Sequence, residues 1–113
     1  MKTFLILLRE PDGRTQKHAD DFSRKHQQHW QTWLQSLRES EKLVHADSLT
    51  MDGRVIKHPS LPVEDGPRFH GLEFVGGFLL IREENLETAT VLLQTCPIFE
   101  SDGWAEIREL QHS

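Results

Sequence analysis

The stretch Glu73-Phe74-Val75-Gly76-Gly77-Phe78-Leu79-Leu80-Ile81-Arg82 is apolar between its charged ends, interrupted only by two glycines. Alternation along an extended chain sends Phe74, Phe78 and Leu80 to one side and Val75, Leu79 and Ile81 to the other. A strand that is apolar on both sides needs cover on both, so it belongs in the middle of a sheet. Thr3-Phe4-Leu5-Ile6-Leu7-Leu8 has the same character, with Phe4, Ile6 and Leu8 opposed to Leu5 and Leu7. Two such strands predict the two central strands of one sheet. Gly76-Gly77 costs backbone entropy inside a strand, which predicts a close approach there by a packed helix or a second subunit.

Between these strands, Phe22, Trp30, Trp33, Leu34 and Leu37 recur at helical spacing, which predicts a long helix from about Asp20 to Ser40 with Asp20 or Asp21 as its cap. Pro11-Asp12-Gly13 reads as the turn before it. Leu43 to Met51 contains a strand, Asp52-Gly53 is a hairpin turn signal, and Arg54-Val55-Ile56-Lys57 begins a short return strand. His58 to Phe69 holds Pro59, Pro62 and Pro67 with Gly66, so an ordered loop without regular structure is expected. Asn85 caps a second helix with apolar residues Leu86, Ala89, Leu92, Leu93 and Cys96, stopped by Pro97, and Trp104 to Leu110 forms the last strand. This order predicts an α+β fold: a ferredoxin-like antiparallel sheet with two helices on one face, over residues 1–113 as a single domain.

With two helices covering one face, the apolar residues on the other face predict a second sheet over them, most simply that of a second copy in a homodimer. The chain has 113 residues, 36% of them hydrophobic, enough for one core. Its formal charge of −5 and the lack of a basic, aromatic-rich stretch argue against nucleic-acid binding. The apolar run near the N-terminus is too short to span a membrane. Cys96 is the only cysteine, so no internal disulfide can form, and a cytoplasmic location is expected.

Seven histidines are many for this length, and Lys17-His18, His26 and His29 lie close together. His26 and His29 fall on neighbouring positions of one helix face, on the side of Phe22, Trp30 and Trp33. Looking into an apolar pocket, they could serve as acid and base near neutral pH, or simply mark the helix boundary. They could also hold a metal if Glu73, Asp65 or His70 supplied a third ligand; no metal or other cofactor is assigned. Asp65 before Gly66-Pro67 suits a turn in which the carboxylate folds onto backbone N–H groups. The same loop could present Asp65, Arg68 and His70 beside the first helix to an anionic small molecule. Glu73, at the margin of the apolar strand, is a candidate base or a solvated strand end. Trp33, with Trp30 and Trp104, suits core packing or the rim of a pocket. Cys96 reads as an inert core thiol.

The order of Arg9, the tryptophan-bearing helix, Asp65-Gly66-Pro67, Glu73, Gly76-Gly77-Phe78, Thr95-Cys96-Pro97 and Ala105-Glu106-Ile107-Arg108-Glu109-Leu110 resembles the YCII-related family, in its branch named for an Asp-Gly-Pro-Phe motif. The resemblance implies a dimeric α+β barrel, in a superfamily that includes muconolactone isomerase-like enzymes, cofactor-free monooxygenases and haem proteins. It also implies, for better-known members, a helix histidine paired with an aspartate before a proline late in the second helix. Here His26 or His29 matches the histidine, Cys96 stands where the aspartate would, and Arg68 replaces the motif's phenylalanine. The expected function is binding of a small molecule, by a cofactor-independent isomerase, lyase or hydrolase with His26, His29, Asp65 and Glu73 as catalytic candidates and Trp33, Arg68 and His70 as binding ones. The alternatives are a regulatory or interaction module of the sigma-factor-associated type and a divalent-metal protein.

Overall fold

A computed structural model of the chain describes residues 1–12 and 20–112. Gly13 of the expected turn and the Lys17-His18 pair lie outside them. The strands are β1 (Lys2–Pro11), β2 (Leu43–Ser48), β3 (Gly53–Val55), β4 (Glu64–Gly66), β5 (Phe69–His70), β6 (Glu73–Glu83) and β7 (Trp104–Glu109); the helices are α1 (Asp20–Glu39) and α2 (Leu86–Leu93), followed by a 3-10 helix at Pro97–Ser101. The main sheet is antiparallel, ordered β2-β6-β1-β7, with β5 pairing to the start of β6. β1 and β6 are therefore the central strands, as their two-sided apolar character requires.

Phe4, Ile6 and Leu8 pair across to Ile81, Leu79 and Gly77, and these side chains pack against Trp33 and Leu37 of α1, Ala89 and Leu93 of α2, and Ile98. α2 starts where Asn85 stops the chain: its side chain accepts from the Thr88 N–H at 2.9 Å, and the Thr88 hydroxyl accepts from the Asn85 N–H at 3.2 Å. Both bonds satisfy donors that the first helical turn would otherwise leave open. Behind it, the buried carboxylate of Glu83 accepts from the Lys42 ammonium at 2.8 Å and joins β6 to the loop after α1.

A bulge changes which side chains share a face. Leu8 pairs with Gly77 and Arg9 with Val75, so Gly76 is the extra residue. Phe74 consequently stands opposite Glu10, on the side of Leu79 and Ile81, while Val75 joins Phe78 and Leu80 on the face away from the helices. Strict alternation had put Phe74 with Phe78 and Leu80; the doubled glycine resets the count. On the open face, Arg9 lies 5.4 Å over the Trp104 ring and bonds Glu106 at 3.2 Å.

The second departure is the hairpin. Asp52-Gly53 does not fold β3 back onto β2; Gly53–Val55 pairs instead with Glu64–Gly66, a strand inside the segment expected to lack regular structure. The two form a separate ribbon whose neighbourhood leaves Ile56, Leu61 and Val63 exposed. The Cα radius of gyration is 15.6 Å, against about 13 Å for a globule of this length. Among the described residues, no helix is long and apolar enough to cross a membrane.

Candidate functional site

Four-residue spacing on α1 puts His26, Trp30 and Leu34 in one row facing the sheet. Below them Gly76 and Gly77, at the bulge, carry no side chains, and a cleft of about 480 Å³ lies between helix and sheet, with Ile98 also lining it. That volume lies in the range of small-molecule sites. Glu10 enters from the end of β1. A Cβ on Gly76 would stand 2.8 Å from the Glu10 Cδ, so the group that approaches closely there is this carboxylate; at Gly77 it is the Asp47 carbonyl, 3.0 Å away. Burial pushes the Glu10 carboxyl above its ordinary range, and a protonated His26 would work against that rise.

His26 is held on every side. Its ring stacks on Phe22 at 5.7 Å, meets Trp30 edge-on at 6.4 Å, and its Nε2 accepts the Trp30 indole N–H at 3.1 Å. Since Nε2 must offer a lone pair to that indole, the ring proton sits on Nδ1, which lies 3.1 Å from Glu100 Oε1 and donates to it. Glu100 also meets His29: Nδ1 is 2.9 Å from Oε2 and 3.0 Å from Oε1. The Glu100 carboxyl is held below the usual range by its bonds to His29 first and His26 second.

Two imidazoles and a carboxylate within bonding distance suggest a metal centre, but the indole argues otherwise. A metal on Nδ1 would leave the proton on Nε2, facing the Trp30 N–H donor to donor. Among the described residues, no group of three or more His, Cys, Asp or Glu side chains is placed to hold a metal ion.

The other expected site residues are spread out. His29 lies outside the cleft with 56% of its side chain exposed. Trp33 is buried beneath it, donating its indole N–H to Thr95 Oγ1 at 2.8 Å and packing edge-on against Trp30. Asp65 is 92% exposed on β4, where its carboxylate lies 3.6 Å from Arg54 rather than folding onto its own turn. Arg68 and His70 are exposed, and His70 pairs with Glu73 across β5 and β6; no hydrogen bond or ion pair joins either to α1 among the described residues. Glu73 accepts the indole N–H of Trp104. Only His26 of the seven lines the cleft. Cys96 is buried, and burial pushes its thiol up to about 12, which leaves it unreactive.

Glu10 and Glu100 are charged residues of the site that sequence reasoning passed over, as it did Gln27, Asp47 and Ser48 of the cleft lining. For Glu10 a signal existed, because period two puts it on the Phe4, Ile6 and Leu8 face, where a carboxylate has no place unless it does something. For Glu100 there was none: it is 74 residues from His26 and 71 from His29.

No curated protein matches the chain. Among solved structures, it is similar to 5-chloro-2-hydroxyhydroquinone dehydrochlorinase (TftG) from Burkholderia phenoliruptrix AC1100, in complex with 2,5-dihydroxybenzoquinone: the TM-score is 0.55 at 13% identity, over 98% of this chain and 95% of that one. At that identity the likeness concerns the fold, and it agrees with the α+β architecture described above. The family model of the YCII-related domain matches residues 3–111. The chain therefore belongs to the YCII-related family.

Proposed function

We propose that the chain, working as one YCII-related domain, binds a small organic molecule in the cleft and acts on it by general acid–base chemistry without a cofactor, as an isomerase, lyase or hydrolase. Glu10 is the proton-transferring group, and His26 forms the wall of the cleft beside it. The observation that carries this reading is the half-buried carboxylate of Glu10, pushed up by burial at the open floor of a 480 Å³ cleft. A carboxylate whose pKa is raised is a stronger base, and as the acid it can return the proton it takes. His26 is less suited to that task, because both ring nitrogens are engaged. The dihydroxybenzoquinone complex of the structural neighbour supports a ring-sized ligand and supplies a first probe.

The test is a thermal-shift screen of hydroxylated aromatic and carbonyl compounds, beginning with 2,5-dihydroxybenzoquinone. A ligand that stabilises the parent should lose its shift in Glu10→Gln and in His26→Ala. Full shifts in both variants would remove the cleft from consideration.

The open sheet face suits a second copy of the chain. Leu5, Leu7, Val75, Phe78 and Leu80 form its centre, and the β3–β4 ribbon offers Ile56, Leu61 and Val63 as further apolar contacts. Sedimentation at micromolar concentration should give twice 13.2 kDa, and a monomer under those conditions would refute this pairing. The single thiol, buried at Cys96, fits the cytoplasm.

A further inference from the structure

Two side chains that wall the cleft, His26 and Trp30, are bonded to one another, and whether that bond can form depends on where the imidazole carries its proton. From inside the cleft the Trp30 indole favours a bare Nε2, but it offers nothing to hold the proton on Nδ1. The group that holds it there lies outside the cleft, on the 3-10 helix after α2: Glu100 Oε1 is 3.1 Å from His26 Nδ1. A carboxylate accepts and cannot donate, so it selects the Nδ1–H form and leaves Nε2 as a bare acceptor for the indole.

Glu100 is itself well placed to impose this. Pro97 and Ile98 of its helix are buried, Asp102 ends it in the left-handed region at φ 60°, and the Ser101 hydroxyl bonds the Ile98 carbonyl at 3.2 Å. Gly103 then lets the chain pass the Arg9 carbonyl and Ile98, with 2.8 Å and 2.6 Å left to a Cβ. His29 Nδ1 also meets this carboxylate, at 2.9 Å from Oε2 and 3.0 Å from Oε1, from the exposed side of α1.

We propose that Glu100 is the positioning residue of the cleft: by accepting from Nδ1 of His26 it fixes the tautomer that holds the Trp30 indole, and so sets the aromatic wall against which a ligand packs. The consequence for binding rests on the function proposed above. The tautomer itself does not, and it can be read without a ligand.

The experiment is long-range nitrogen–proton correlation on histidine-labelled protein, with hydrogen exchange of the Trp30 indole N–H followed in parallel. The parent should show His26 protonated on Nδ1 and a protected indole. Glu100→Ala and the length-matched Glu100→Met should both move the proton to Nε2 and speed exchange of the indole by about fivefold, the loss of one ordinary hydrogen bond. His29→Ala should change neither, since the contact between His26 Nδ1 and Glu100 Oε1 does not run through His29. An Nε2–H form in the parent, a Nδ1–H form that survives both Glu100 variants, or a His29 variant that behaves like them would overturn the proposal. Circular dichroism of each variant checks folding, and two substitutions at an exposed carboxylate leave one to read if the other fails. Failure of the ligand screen would leave this result standing, and the reverse.

Discussion

Replacing Gly76 with alanine separates the chemistry of the cleft from its stability. The new Cβ would stand 2.8 Å from the Glu10 Cδ, well inside the 3.4 to 4 Å of ordinary contact. What it meets is the end of a flexible side chain, so Glu10 can swing out for about 0.5–1.5 kcal/mol of rotamer strain. Against that, alanine gains about 0.4–1 kcal/mol by restricting the unfolded chain, since Gly76 has no positive φ. The two nearly cancel. With roughly 2.1 cal/mol/K of unfolding entropy per residue, a chain of this length shifts its Tm by about 4 °C per kcal/mol, so the melting point should move by no more than about 4 °C. Gly103→Ala is the contrast: its Cβ meets the Arg9 carbonyl and the Ile98 side chain, which is 2% exposed and has nowhere to go. Overpacking of that kind costs about 1–3 kcal/mol, or roughly 4–12 °C. Thermal melts by circular dichroism give both numbers, and carboxyl carbon NMR follows the titration of Glu10. In Gly76→Ala that titration should fall back toward the ordinary glutamate range as the carboxyl reaches water. A Gly76→Ala protein that melts as early as Gly103→Ala, or a Glu10 that still titrates high in it, would refute the reasoning.

Glu10→Gln should raise the Tm at neutral pH, because a carboxyl whose folded value is raised destabilises the charged form; the gain should shrink as pH falls through that raised value, and no gain at pH 7 would contradict the burial argument. Glu83 has the opposite sign. Burial alone would raise it, but the bond and charge of Lys42 carry it below 4.5, so the pair's stabilisation is in place above about that pH and is lost as pH falls through the depressed value. Lys42→Met leaves Glu83, 5% exposed, without its cation and should cost about 3 kcal/mol in urea melts at pH 7, with a flatter acid limb than the parent. Asp65→Ala removes an exposed ion pair and should change stability by less than about 0.5 kcal/mol.

The parts of the fold that were legible are those governed by short periods. Apolar runs identified β1 and β6, helical spacing from Phe22 to Leu37 identified α1, and an asparagine before an apolar run identified the start of α2. The face of Phe74 was not legible, because a glycine pair fits a straight strand as well as a bulged one, and only the register against Leu8 and Arg9 distinguishes them. Asp52-Gly53 is a strong local hairpin signal, yet β3 takes its partner from residues 64–66; the choice was made by pairing at a distance, not by the dipeptide. The site divides in the same way. Alternation along β1 carried a sign of Glu10, whereas the convergence of Glu100 on His26 and His29 is a tertiary event that no spacing encodes.

The position of β1 also constrains how the chain can be made. It leaves the ribosome well before both of its neighbours, β6 and β7, which come from further along the chain. At about 5–20 residues per second, the interval between completing β1 and completing β6 is roughly 4–14 s. Throughout it, Phe4, Leu5, Ile6, Leu7 and Leu8 have no native strand to pair with and present two unpaired edges. A ribosome paused inside α1 or the β3–β4 ribbon would therefore hold an adhesive nascent segment. Such pauses should recruit chaperones that bind extended apolar peptides.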